Sequence, residues 1–295
     1  MPAEVLQLLI TGLVLGGVYA LISVSLTLIF GVLRIINFAH GEFLMLAMYF
    51  TYWLFTLFGL DPYLSLPIVL ALMFVIGTIT HLLVIRPILN APPITQVFAT
   101  VGVGVVLSNL ALLFWKGDYR TVTPTYGSAT IPILDARLSV PGLVAFAGAL
   151  GSAVLLSQLL RRTYFGKAII ATAQDRPAAR LMGIDVDRVY FLTFAIGIAL
   201  VGVAGVLLMP IYFVHPHIGT TFALVAFVVV VLGGLGSLPG AVAGGLLIGL
   251  VETTSGFLLP SSMKQAAYFV IFILVLALRP AGLFGRRGAE EFGLK

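Results

Sequence analysis

Cysteine is absent from all 295 residues, which excludes disulfides and thiolate metal sites. Charge is nearly as scarce. Only 9% of residues are Asp, Glu, Lys or Arg, against roughly 25% in an ordinary soluble domain. With 60% hydrophobic residues and a mean hydropathy of +1.15, a soluble chain of this length could not hide its apolar surface in one core. Short alternating segments are missing too, which argues against a membrane β-barrel. No GxxxxGK[ST] phosphate loop, HExxH helix, nucleophilic triad or pair of catalytic carboxylates occurs. Gly102 and Gly104 lack the third glycine of a dinucleotide fingerprint. No cleavable signal peptide is expected, because the first apolar run has no basic leader and continues to Phe30.

What is present is a series of long apolar runs. They cover residues 5–33, 43–58, 65–84, 94–115, 141–160, 189–209, 222–251 and 266–278. The run 222–251 is interrupted by the glycine-rich stretch 233–240, which divides it into two shorter helices. Windows of ~20 residues then give about eight or nine membrane segments, some broken or re-entrant. The expectation is an all-α polytopic membrane protein, residues 1–295 forming one transmembrane domain. Gly12 and Gly16, and later Gly240, Gly244, Gly245 and Gly249, have the small-xxx-small spacing that lets helices approach closely. The connection 116–140, rich in Pro, Gly, Thr and Tyr, reads as turns or short strands outside the membrane.

The basic residues sit in few places. Six of the sixteen Lys and Arg residues fall within 161–188. If that connection is cytoplasmic, alternation also puts Arg34, Arg86, the 233–240 turn and the tail from Arg279 inside. Lys116, Arg120, Arg137 and Lys264 are then the four outside. This bias follows the positive-inside rule. The net charge of +5 therefore orients the chain and does not point to nucleic acid.

The 161–188 connection carries helix punctuation. Asp175 suits an N-cap, Pro177 the first turn, and Gly183 a left-handed position past the end. Asp185 and Asp187 launch the next apolar run. The reading is a structured cytoplasmic loop holding a short helix for a partner to grip. Arg176 and Arg180, four apart, would share a face of it. The plainer alternative is a basic loop that only fixes topology.

Few polar groups adjoin the apolar runs. Asn37, His40 and Glu42 lie before and at the start of the second, His81 near the end of the third, Asn109 within the fourth and Glu252 after the split one. Ionisable groups at membrane depth are functional candidates, because burial in lipid costs several kcal/mol. Their plainer reading is interfacial, with polar heads in water; for Asn109 it is glue between helices. Gly233, Gly234, Gly236 and Gly240 either pack helices closely or line a solute path, and packing is the favoured reading. His215 and His217 face opposite ways on an extended segment and lack a third ligand, so no metal is expected.

Four blocks carry a resemblance. GLVLGGVYALISVSLTLIFGVLRIINFAHGEFLML opens the chain, and ATAQDRPAARLMGIDVDRVYFLTFAIGIALVGVAGVL follows in the middle. VVLGGLGSLPGAVAGGLLIGLVE and ILVLALRPAGLFG complete the set. In this order, over nearly the whole chain, they resemble permeases of branched-chain amino acid ABC importers, of the H-subunit type. The resemblance implies a pore built with a second, related permease subunit. It implies two ATPase subunits that carry ATP and Mg, and an extracytoplasmic binding protein that delivers the solute. It places the assembly in the bacterial inner membrane, with no catalysis or cofactor in this chain. Urea, short amides and small aromatic or carboxylic acids are alternative solutes within the family. An ion-coupled carrier and a passive channel are the readings outside it. Importer permeases carry Glu-Ala-Ala, three residues, then Gly; here Ala178, Ala179 and Gly183 keep the spacing, while Pro177 replaces the glutamate. The implied ATPase-coupling set is Asp175, Arg176, Pro177, Ala178, Ala179, Arg180 and Gly183. Asn37, His40, Glu42 and Asn109 are the candidates for the solute path.

Overall fold

The computed structural model describes residues 2–133, 136–260 and 263–285; the expected inner tail beyond residue 285 lies outside the described residues. The described residues are 76% helical. Seven helices among the described residues are long and apolar enough to cross a membrane, and two shorter apolar helices accompany them. The first two are α1 (Pro2–Leu33) and α2 (His40–Phe58). Next, α3 (Leu66–Thr80) runs through a π-helical turn, His81–Ile85, into α4 (Arg86–Ile88), making one rod. Then come α5 (Pro93–Trp115) and an antiparallel hairpin of β1 (Thr130–Ile133) and β2 (Ala136–Ser139), with Thr130 opposite Ser139. After α6 (Val140–Arg162) come α7 (Tyr164–Gln174), α8 (Arg176–Leu181) and α9 (Val186–Leu208). The last three are α10 (Ile218–Gly233), α11 (Leu238–Leu258) and α12 (Lys264–Leu278).

Helices α1 and α9 form the centre and are mostly buried, while α3, α5 and α6 present apolar faces outward. Phe98, Val106, Leu113 and Phe114 of α5 are all exposed, as side chains facing hydrocarbon or a neighbouring subunit would be. Glycine sets the central seam. A Cβ on Gly16 would lie 2.7 Å from Leu246 Cα, and the backbones of Gly249 and Gly16 meet directly. Small residues at these positions let α1 and α11 approach backbone to backbone.

The two ends of the bundle differ. One gathers Arg86, Arg176, Arg180 and Arg188 around a shared pocket. Gly31 meets Gly236 of the α10–α11 turn there. At the other end, Gln7 clamps the hairpin by accepting from Arg137 N at 2.8 Å and donating to Arg137 O at 3.0 Å. Arg120 and Val214 form an isolated antiparallel bridge on that side. Arg34, Arg86 and the 161–188 connection thus segregate from Arg120 and Arg137, as alternation of the spans requires.

The 161–188 connection holds two helices where the sequence reading expected one. Thr163 separates α6 from α7 and caps the latter, accepting from Gly166 N at 2.9 Å. The bare Gly166 lies against the backbone of Leu159 and Leu160, which folds α7 sharply back on α6.

The segment 34–39 departs further from expectation. Arg34 ends α1 in a left-handed conformation, φ +57°, and the chain turns back into the bundle. His40 Nε2 lies 3.2 Å from Ile22 O and 2.8 Å from Ser25 Oγ. Ile22 is eleven residues before the end of α1, hence roughly 16 Å deep at 1.5 Å per residue. Gly104, eleven residues into α5, faces Glu42 at the same level. Half of a ~30 Å hydrocarbon core lies at that depth. Helix α2 therefore starts near mid-membrane, and residues 34–39 are re-entrant backbone.

A mid-depth pocket between two half-helices

The start of α2 meets the start of α10. Gly41 and Gly219 touch through backbone atoms, and any Cβ there would collide with the other strand of main chain. Around this crossing lies a 420 Å³ pocket whose wall includes Leu26, Asn37, Phe38, His40, Glu42, Val105, Ser108, Asn109, His217, Thr220, Leu224 and Phe227. Phe38 stacks on Phe227 with centroids 5.9 Å apart. Helix N-termini carry unpaired N–H groups and partial positive charge. Two of them converge here on an apolar cavity.

Asn37, His40 and Glu42 are brought together, with 3%, 1% and 6% exposure respectively. The interfacial reading of these groups does not hold: re-entry carries them to mid-depth, where they are buried side chains on the pocket wall. Asn37 Oδ1 accepts from Ala39 N at 3.2 Å. Glu42 Oε1 accepts from Thr220 Oγ1 at 3.3 Å. Asn37 Nδ2 and Glu42 Oε2 have no hydrogen-bond partner and are buried. Asn109 sits on the pocket wall but is exposed, and its Nδ2 donates to Val105 O at 2.8 Å within its own helix. Thr220, His217 and Ser108 were not singled out from sequence. The nearest signal was Gly219, which marks the true start of α10 four residues ahead of the expected apolar run.

His81 and Glu252 do not join this group. His81 is buried at 2% exposure against Phe191 and Phe194, away from the mid-depth pocket. Glu252 accepts from Tyr19 OH at 2.7 Å and pairs with Lys264 at 3.5 Å. Among the described residues, no group of three His, Asp or Glu side chains is placed to hold a metal.

At the basic end, α8 is a capped single helix. Asp175 Oδ1 accepts from Ala178 N at 3.0 Å. Gly183, at φ +81°, bonds back to Arg180 O while Ile184 bonds to Ala179 O. That pair of bonds is a Schellman closure. Ala179 faces inward, whereas Pro177, Ala178, Leu181 and Met182 are exposed, the last two at 89% and 82%. Arg176 and Arg180 are both engaged within the chain: Arg176 lies 5.0 Å over the Tyr190 ring and Arg180 is 3.4 Å from Asp187. Beside them a 440 Å³ pocket is lined by Arg86, Arg188, Asp185 and His81.

The glycines 233–240 lie at this same end, not at mid-depth. Gly233 and Gly240 meet backbone to backbone, while Gly234 and Gly236 take positive φ, +103° and +81°. Ser237 caps α11 by accepting from Gly240 N at 3.2 Å. Leu283 N and Phe284 N then bond to Leu232 O and Gly233 O. None of these glycines lines the mid-depth pocket.

A multi-pass helical membrane protein with a solute-sized, mainly apolar pocket at half depth belongs among transport proteins. Residues 8–278 match the family model described as branched-chain amino acid transport system / permease component, and the chain belongs to that family. It is 33% identical to the high-affinity branched-chain amino acid transport system permease protein LivH of Salmonella typhimurium (strain LT2), over 97% of each chain. The LivH protein of Escherichia coli (strain K12) gives the same identity and coverage. The protein BraD of Pseudomonas aeruginosa, of the same description, is 31% identical over 97% of each chain. No solved structure matches.

Proposed function

We propose that this chain is a permease subunit of an ATP-driven ABC importer for branched-chain amino acids in the bacterial inner membrane. The observation that carries the reading is full-length membership of the permease family, with relatives named for that transport. The sequence holds no phosphate loop, so the energy comes from two partner ATPase subunits that bind ATP and Mg. A second, related permease subunit completes the pore, and an extracytoplasmic binding protein delivers the solute. The capped helix α8, from Asp175 to Gly183, is the coupling element. Its exposed Pro177, Ala178, Leu181 and Met182 suit a groove on an ATPase, in the manner of helix-in-groove recognition. ATPase closure would then displace α8 and rock α9, and α6 through α7, between two states of access.

The test is purification of the tagged chain from its own membranes, followed by reconstitution. Co-purifying ATPases and leucine uptake that requires ATP and binding protein are expected. Uphill uptake by this chain alone, driven by an ion gradient, would overturn the proposal; so would an ATP-insensitive leak.

A further inference from the structure

We infer that the mid-depth pocket is a recognition site for a zwitterionic amino acid, with Glu42 taking the ammonium and Asn37 the carboxylate. The inference rests on the permease reading and adds to it a site and a chemistry. Its core is a pair of orphans. A buried polar atom without a partner costs about 1–3 kcal/mol, and the large majority of buried side-chain polar atoms are paired in folded proteins. Here the acceptor Glu42 Oε2 and the donor Asn37 Nδ2 are both buried and unpaired on the wall of one cavity, beside a third unpaired atom, His40 Nδ1. The amide orientation follows from its other atom, since Asn37 Oδ1 accepts from Ala39 N. The two groups ask for a ligand that donates at one point and accepts at another.

The surroundings select the rest of that ligand. The starts of α2 and α10, nineteen and sixteen residues long, add partial positive charge beside Asn37. A ligand carboxylate is stabilised there, while the Glu42 carboxylate, itself in the first turn of α2, supplies the negative charge an ammonium needs. Thr220 Oγ1 donates to Glu42 Oε1, and Oε2 lies unpaired beside Gly104, another residue of the pocket wall. Leu26, Val105, Leu224 and Phe227 supply an apolar wall for a branched side chain. A volume of 420 Å³ lies near the small end of ligand pockets. Neutral amides or urea would leave the Glu42 carboxylate without a cation.

The absence of cysteine provides the assay. Ser108 lies on the pocket wall, so Ser108→Cys gives this chain a single thiol. In the complete transporter in nanodiscs, maleimide labelling of that thiol is timed with leucine, with 4-methylpentanoate, which lacks the ammonium, and with 3-methylbutylamine, which lacks the carboxylate. Leucine is expected to protect at concentrations at least tenfold below either analogue. Adding Glu42→Gln should abolish leucine's advantage over 4-methylpentanoate, and Glu42→Asp should restore part of it. Equal protection by all three compounds overturns the inference, as does no protection by leucine. The ligand series needs no change at Glu42 or Asn37, so misfolding of those variants cannot hide the answer. Uptake of leucine by the same preparation without protection would sink this site and leave the permease standing; loss of both would sink the two together.

Discussion

Replacing Gly16 by alanine tests whether backbone contact holds the bundle's centre. The added Cβ would lie 2.7 Å from Leu246 Cα and 2.9 Å from Gly245 O. Carbon atoms in contact sit about 3.5–4.0 Å apart, so α1 and α11 must separate by roughly 1 Å. The obstacle is main chain and cannot rotate away. Overpacking of this kind costs about 1–3 kcal/mol, while alanine regains up to about 1 kcal/mol of helix propensity. The net expectation is a loss of about 1–2 kcal/mol. Gly151 of α6 is the control, since its Cβ would meet nothing within 4 Å. Gly151→Ala should be neutral or stabilising by up to about 1 kcal/mol. Thermal unfolding followed by tryptophan fluorescence reads both, because Trp115 stacks on Tyr49 at 4.2 Å and reports on packing. A Gly16→Ala protein that melts at or above the parent, beside a weakened Gly151→Ala protein, would refute the reasoning.

Three further outcomes are expected. Asp175→Ala removes the cap on α8, at a cost of about 1 kcal/mol; amide exchange over residues 176–181 should accelerate and uptake per ATP should fall while the melting temperature holds. Arg180→Glu sets like charges at the present 3.4 Å contact with Asp187; because exposed pairs contribute only about 0–1 kcal/mol, yield should persist while substrate-stimulated ATP hydrolysis drops, and unchanged hydrolysis and uptake would remove Arg180 from the coupling set. Tyr19→Phe takes the hydroxyl from the partly buried Glu252, leaving Lys264 as its charged partner; a loss of about 1–3 kcal/mol should appear in denaturant titration and be smaller in a Glu252→Gln background.

The spans were legible because twenty apolar residues in a row have one economical use. Asp175, Asp185 and Gly183 were legible because capping is local chemistry that works within four residues. The re-entrant segment was not. Asn37, His40 and Glu42 look the same in sequence whether they face water or a buried cavity. What decides is Arg34 reversing the chain and Gly41 meeting Gly219, a contact 178 residues away along the chain. The partnership of Glu42 with Thr220 was hidden for the same reason. Helix α7 escaped notice because it is only eleven residues long and lies within a basic connection that reads as loop. The glycines 233–240 announced a break, and alternation of the basic residues already set that turn on the inner side.

The π-helical turn at residues 81–85 sets an angle as well as a length. Arg86 N bonds to His81 O, five residues back, and Pro87 has no N–H to offer the usual acceptor. One extra residue has been wound into the rod. Each residue of an α-helix turns the axis by 100°, so everything after the turn is dialled round by about that amount. Arg86 and Asn90 thereby point toward Arg176 and Asp185. Deleting a single residue from 81–85 would wind the rod back and swing that cationic tip out of the pocket it shares with α8.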